Sequence, residues 1–211
     1  RQLRWCTEEV TRLAINRGVI IHDTGWANVE TKIIKRLPNA ILRRVIIFLL
    51  KTIGGSPYPP RSKKLDRVIN LIVSEENFTA FSLGGCVVRS LGKHLTFFRE
   101  EYKSSPSLIV NSEGCILWRG VFECKFSKFL DDGSSKHFLA PLGQKGWEKL
   151  VKEKTNVELN WIPHKAALTL PALFDCLGVL EVPHFNYRRT TDLITTSPKF
   201  NSARFVPLDQ R

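Results

Sequence analysis

The chain has 211 residues, 43% of them hydrophobic and 25% charged, with 32 Lys and Arg against 20 Asp and Glu. That balance suits one large domain or two small ones and excludes a wholly disordered, collagenous or coiled-coil chain. A net charge of +12 and a pI near 9.7 favour a polyanionic partner, nucleic acid or an anionic surface. The basic residues lie among apolar ones, which excludes a polybasic tail.

The longest near-continuous apolar run, Val45 to Leu50, covers about a third of the ~18 residues that a membrane-crossing helix needs. Arg1-Gln2-Leu3-Arg4-Trp5 has no apolar signal core behind it. The cysteines, Cys6, Cys86, Cys115, Cys124 and Cys176, are odd in number and form no CxxC pair. They read as reduced thiols of a cytoplasmic protein, not as a disulfide framework or zinc ribbon. Methionine is absent, even at position 1, so the expectation is an internal fragment or a sequence from which methionines were lost.

Leu3 to Asn16 has helical spacing in Leu3, Cys6, Val10, Leu13 and Ala14, with Gly18 as its stop and Val19-Ile20-Ile21-His22 as a short strand. Leu37 to Lys51 is the most legible helix: Pro38 suits its first turn and Gly54-Gly55 ends it. Ile41, Leu42, Val45, Ile46, Leu49 and Leu50 share its apolar face. The turn Ser56-Pro57-Tyr58-Pro59-Pro60 leads to a second helix over residues 61–72, basic at its start and apolar at Leu65, Val68, Ile69 and Ile72. Cations at a helix start oppose its dipole at a cost of roughly 0.3–1 kcal/mol. Arg61, Lys63 and Lys64 therefore point to phosphate binding when weighed against a merely solvated face.

From Phe78 the period becomes two. Phe78–Leu83, Cys86–Arg89 and Leu95–Glu100 read as strands turned by Gly84-Gly85 and Gly92-Lys93, and Ser104–Ser112 as a linker. Cys115–Trp118 and Val121–Cys124 follow as a hairpin about Arg119-Gly120. Phe138–Leu142 reads as a strand, Gly143-Gln144-Lys145-Gly146 as a turn, Trp147 to about Lys154 as a helix and Ile162–Ala167 as a shorter one. Pro171–Phe174 and Val179–Pro183 make a hairpin about Leu177-Gly178, and the tail beyond Arg188 reads as loosely held until Phe205-Val206. The fold class is α+β: a basic helical region ending in β-hairpins over residues 1–104, then a small mixed α/β domain over residues 105–211.

No complete active site is legible. The Walker pattern GxxxxGK[ST] and the Ser-Gly-Gly-x-Asp-Ser phosphate loop are both absent. Gly84-Gly85 lies between strands and reads as a tight turn. His22, His94, His137, His164 and His184 lack metal-site spacing. A Cys86–His94 nucleophile pair would make a small hydrolase, but a buried structural thiol is favoured. Gly143-Gln144-Lys145-Gly146-Trp147 could offer free amides to an anion, with Trp147 stacking on a base or, as the favoured reading, anchoring the helix.

Leu37-Pro38, Arg43-Arg44, Gly54-Gly55, Pro60-Arg61, Leu83-Gly84-Gly85-Cys86 and Arg99-Glu100 follow one another in the order seen after the catalytic domain of bacterial tRNA(Ile)-lysidine synthetases. The chain resembles that family, notably its alphaproteobacterial form, once described as MesJ-type cell-cycle proteins. Pro141-Leu142-Gly143-Gln144-Lys145-Gly146-Trp147, Ile162-Pro163, Leu170-Pro171-Ala172-Leu173-Phe174-Asp175 and Val182-Pro183-His184 look like its small C-terminal domain. One departure is Trp118-Arg119-Gly120-Val121-Phe122, where the family pattern would be Trp-Asp-Gly-Arg-Phe.

The resemblance implies a ligase that uses ATP and magnesium to adenylate the wobble cytidine of an isoleucine tRNA and replaces AMP with free lysine. It also implies that this chain is the tRNA-gripping part, inactive alone, with ATP and magnesium bound in a catalytic domain it lacks. No catalytic, cofactor or metal residue is assigned within it. The RNA-binding candidates are Arg36, Arg43, Arg44, Arg61, Lys63, Lys64, Arg67, Lys145 and Lys149. The competing expectation is a stand-alone basic adaptor for protein or membrane surfaces. The ligase reading involves no membrane, and the oligomeric state stays open, with a homodimer compatible.

Overall fold

The computed structural model describes residues 2–74, 79–101, 107–110, 113–127, 136–153, 161–189 and 198–207, with side chains from residue 6 onward. It divides into two compact units, residues 1–100 with 207–211 and residues 101–206. The architecture is mixed, six helices and three antiparallel sheets among the described residues, as the α+β class requires.

In the first unit, α1 (Gln2–Gly18) leads into β1 (Val19–Ile21), β2 (Ala27–Glu30) and the short α2 (Thr31–Arg36). The long α3 (Asn39–Gly54) and α4 (Ser62–Ser74) precede β3 (Phe81–Leu83), β4 (Cys86–Leu91) and β5 (His94–Arg99). The five strands form one sheet in the order β1-β2-β5-β4-β3. On α3, Ile41, Leu42, Val45, Ile46, Leu49, Leu50 and Ile53 are buried, and α4 buries Leu65, Val68, Ile69 and Ile72. Each fully buried side chain of this size contributes roughly 1.5–3 kcal/mol, so these two apolar faces supply a large part of the unit's stability. The expected start of β3 at Phe78 lies outside the described residues.

The end of α3 is where the family-like motifs meet. Gly55 caps the helix at φ 76°, a left-handed conformation that suits glycine. Gly84 and Gly85, at φ 61° and 78°, make the tight β3–β4 turn expected of them. A Cβ at Gly54 would lie 2.0 Å from the Gly84 carbonyl oxygen, so helix and turn approach backbone to backbone. Cys86 and Arg99 face each other in the ladder. The Cys86 thiol donates to the Leu50 carbonyl at 3.6 Å and Arg99 Nη1 to that of Ile53 at 3.1 Å. The Glu100 amide donates to the Gly85 carbonyl at 2.8 Å. Gly54-Gly55, Gly84-Gly85-Cys86 and Arg99-Glu100 are thus one joint, which satisfies carbonyls that a helix end leaves open.

The second unit contains β6 (Leu108–Ile109), β7 (Gly114–Trp118), β8 (Phe122–Phe126), β9 (Phe138–Pro141), α5 (Gly143–Glu153) and α6 (His164–Ala167), then β10 (Pro171–Asp175), β11 (Gly178–Val182), β12 (Tyr187–Arg188) and β13 (Phe200–Phe205). Its sheets run β12-β11-β10-β9-β6 and β13-β8-β7. Three expectations change here. The linker reading of Ser104–Ser112 fails at Leu108–Ile109, which pairs with β9, although residues 102–106 and 111–112 lie outside the described set. The tail reading fails at Phe200–Phe205, which pairs with β8 and stacks Phe200 on Phe126 at 4.7 Å, while residues 190–197 also lie outside. The helix expected from Trp147 starts at Gly143; its expected end at Lys154 is outside as well.

Candidate nucleic-acid interface

The joint at the end of α3 fixes where α4 begins. Pro60 lies against Gly84, 3.4 Å from the position a Cβ would take there. The Arg61 carbonyl accepts from the amides of Lys64 and Leu65 at 3.1 Å each, opening α4. Leu65, Val68 and Ile69 face inward, which leaves Arg61, Lys63, Lys64 and Arg67 exposed. Lys63, Asp66, Arg67, Asn70, Leu71 and Ser74 recur at helical spacing and border an open groove of about 470 Å³. Arg43, half-buried on α3, makes a charge-assisted hydrogen bond to Asp66 of α4. That bond brings the α3 arginine to the basic face of α4. Arg44, Arg61, Lys63, Lys64 and Arg67 have no acidic partner among the described residues.

Arg44 points to the other flank of α3. With Phe48 it lines a groove of about 360 Å³ whose far wall is Glu8, Thr11, Arg12, Ile15 and Asn16 of α1. Arg12, paired there with Glu9 at 2.5 Å, was not among the sequence candidates. Its helix has no acidic residue in the first turn, and Cys6, Val10 and Leu13 of the apolar spacing expected there are exposed, so that spacing did not show which face α3 would cover. Arg36 is exposed at the end of α2.

The remaining two candidates belong to the second unit. Lys145 is exposed on α5. Lys149 is engaged locally: its Nζ donates to the Leu177 carbonyl at 3.0 Å and lies 3.9 Å from Glu153. In the glycine turn before Trp147, one amide is engaged and one glycine is required by packing. The Gly143 amide donates to the Leu168 carbonyl at 2.9 Å, and a Cβ at Gly146 would meet Leu142 and Val179 at 2.8 Å. Gly146 lets α5 close on β11. Trp147 packs edge-on against His164 and Phe185, with ring centres 5.3 and 5.6 Å away, as the anchoring role requires.

The Cys86–His94 reading finds no support in the geometry. Cys86 stands opposite Arg99, while His94 stands opposite Leu91 at the far end of the same hairpin. Five residues of strand separate the thiol from His94's ladder position, on the order of 17 Å. Burial pushes the Cys86 thiol up to about 12, against a minor opposing pull from Arg99. Among the described residues, no group of three or more His, Cys, Asp and Glu could hold a metal ion. Gly84-Gly85 is taken up in a hairpin turn and Gly146 in packing.

A basic face of α4 thus follows directly on the hydrogen-bonded joint at the end of α3. No family model matches the chain. It is similar to proteins named tRNA(Ile)-lysidine synthase. That of Wolbachia sp. subsp. Brugia malayi (strain TRS) is 31% identical over 117 residues, 54% of this chain and 27% of the relative. That of Wolbachia pipientis wMel is 30% identical over 90 residues, 43% of this chain and 21% of the relative. That of Rickettsia rickettsii (strain Sheila Smith) is 25% identical over 179 residues, 82% of this chain and 36% of the relative. The resemblance read from the order of motifs therefore stands, and the chain spans only about a third or less of these relatives' length. Among the described residues, no helix is long and apolar enough to cross a membrane.

Proposed function

We propose that this chain is the tRNA-gripping portion of a cytoplasmic tRNA(Ile)-lysidine synthase. Its cations neutralise the backbone of an isoleucine tRNA and steady the anticodon for chemistry carried out elsewhere. On this reading, adenylation of the wobble cytidine by ATP with magnesium, and displacement of AMP by free lysine, take place at a centre outside this chain. The observation that carries the reading is the basic face of α4, exposed at Arg61, Lys63, Lys64 and Arg67, without acidic partners among the described residues, and joined to α3 through Arg43 and Asp66. Cations at a helix start gain nothing from the helix itself, and a phosphate removes the conflict. Phosphate contacts supply affinity and orientation, while the shape of the tRNA and a few base contacts supply selectivity.

The test is a salt titration of tRNA binding by filter retention. Each neutralised phosphate adds about 0.7–0.9 to the slope of log affinity against log salt. Replacing both Arg43 and Arg44 by Ala should lower the slope by about one to two units. An unchanged slope removes both residues from the interface, and absence of tRNA binding by the parent chain defeats the proposal.

A further inference from the structure

Tyr58 is the most exposed large aromatic among the described residues, 78% accessible. Its loop leaves it little freedom. Pro57 precedes it, Pro59 and Pro60 follow, and each proline fixes its own φ near −65° while restricting the residue before it. The Ser56 hydroxyl accepts from the Tyr58 amide at 3.3 Å and donates to the Tyr58 carbonyl at 3.2 Å. Both ends of the loop are anchored: Gly55 caps α3 through the Lys51 carbonyl, and Pro60 rests beside Gly84. An aromatic held outward by a stiff loop loses little further entropy when something stacks on it.

Its neighbours identify the occupant. Arg61 is three residues away, so the two Cα atoms lie within about 11 Å, the reach of an extended chain of that length. Arg61, Lys63 and Lys64 are all exposed at the start of α4. A flat apolar face beside a cluster of exposed cations matches a nucleotide, whose base has a π-face and whose phosphate has a charge. A paired base has both faces covered by its stack, so the partner is an unpaired one.

We propose that Tyr58 is a stacking platform for an unpaired base of the bound RNA, with the adjoining phosphates held by Arg61, Lys63 and Lys64. This deepens the tRNA-binding reading and rests on it. The ring supplies a sequence-tolerant contact that prefers single-stranded segments, such as a loop, over the helical stems.

The test compares Tyr58→Leu and Tyr58→Phe with the parent chain, using a fluorescein-labelled single-stranded RNA octamer, the same octamer in a duplex, and a folded tRNA. At such exposure neither substitution disturbs the fold, which the thermal midpoint verifies. Tyr58→Leu should weaken octamer and tRNA binding about tenfold, while Tyr58→Phe, which keeps the ring, stays within about twofold of the parent. The duplex should respond to neither, and the salt slope should not change because no phosphate contact is lost. If Tyr58→Leu binds the octamer as the parent does, or weakens octamer and duplex equally, the stacking role is wrong. That result would leave the tRNA reading intact if the Arg43 and Arg44 substitutions still lower the slope. Absence of RNA binding by the parent would defeat both.

Discussion

His22 carries a pH dependence that follows from its surroundings. Its ring lies face to face with Trp26, centroids 3.6 Å apart and planes 6° from parallel, and its Nε2 is buried without a hydrogen-bond partner among the described residues. Burial lowers its pKa from the ordinary 6.5, against a weaker opposing pull from Asp23. The unfolded chain therefore takes up the proton first on acidification, and the folded state loses stability as the pH drops below about 6.5, until its own lowered pKa is passed. Above 6.5 the contribution is complete. His22→Phe keeps the stack on Trp26 but has no proton to take. Urea denaturation at pH 7.5, 6.5 and 5.5 should give a midpoint that falls more steeply with acid for the parent than for this variant. Parallel profiles would mean that His22 stays neutral and silent. Cys86 illustrates the same physics on a thiol, since burial that raises its pKa to about 12 removes the nucleophile which its spacing from His94 had left open.

Among elements, β13 is the clearest case of structure supplied by a partner. Phe200-Asn201-Ser202-Ala203-Arg204-Phe205 has polar or small residues between two aromatics, and alone it offers no strand period. Its order comes from pairing with β8 and from Glu181 of β11. That carboxylate accepts from the Phe200 amide at 2.7 Å and from Arg188 Nη1 at 2.8 Å. Burial raises its pKa, and the Phe200 and Arg188 contacts pull the other way. Glu181→Ala leaves a buried amide unsatisfied and Arg188 without its carboxylate, and should cost about 2 kcal/mol. Limited proteolysis should then cut between residues 190 and 207 faster than in the parent; an unaltered rate would show that β8 alone holds β13. By contrast, α3 and α4 were legible in the sequence because long apolar faces repeat at helical spacing, in α3 between a proline start and a glycine stop. Ala27–Glu30 and Thr31–Arg36 were not, being four and six residues long, too short for either period to register. Gly143 and Gly146 looked like a turn because close packing on Val179, the reason for Gly146, is visible only once β11 is in place.

At the scale of the whole molecule, charge alone does not separate a tRNA-binding module from a general basic adaptor. Both carry +12 and both bind polyanions. They differ in whether the cations are held in fixed relation. Along α4 they are, because the Gly54–Gly84 approach, Cys86 and Arg99 lock the end of α3, and the Arg43–Asp66 bond ties α4 to it. The bond itself is too exposed to contribute more than about 1 kcal/mol of stability, so its consequence is alignment. A flexible polyanion can satisfy the same cations, but it must lose its own chain entropy to match their spacing, whereas a folded tRNA has already done so. Heparin with its anionic sulfate and carboxylate groups equimolar to the tRNA phosphates should therefore displace less than half of bound tRNA at about 0.15 M salt. Complete displacement at that ratio would mean that the cations act only through their number, and the adaptor reading would replace the one proposed here.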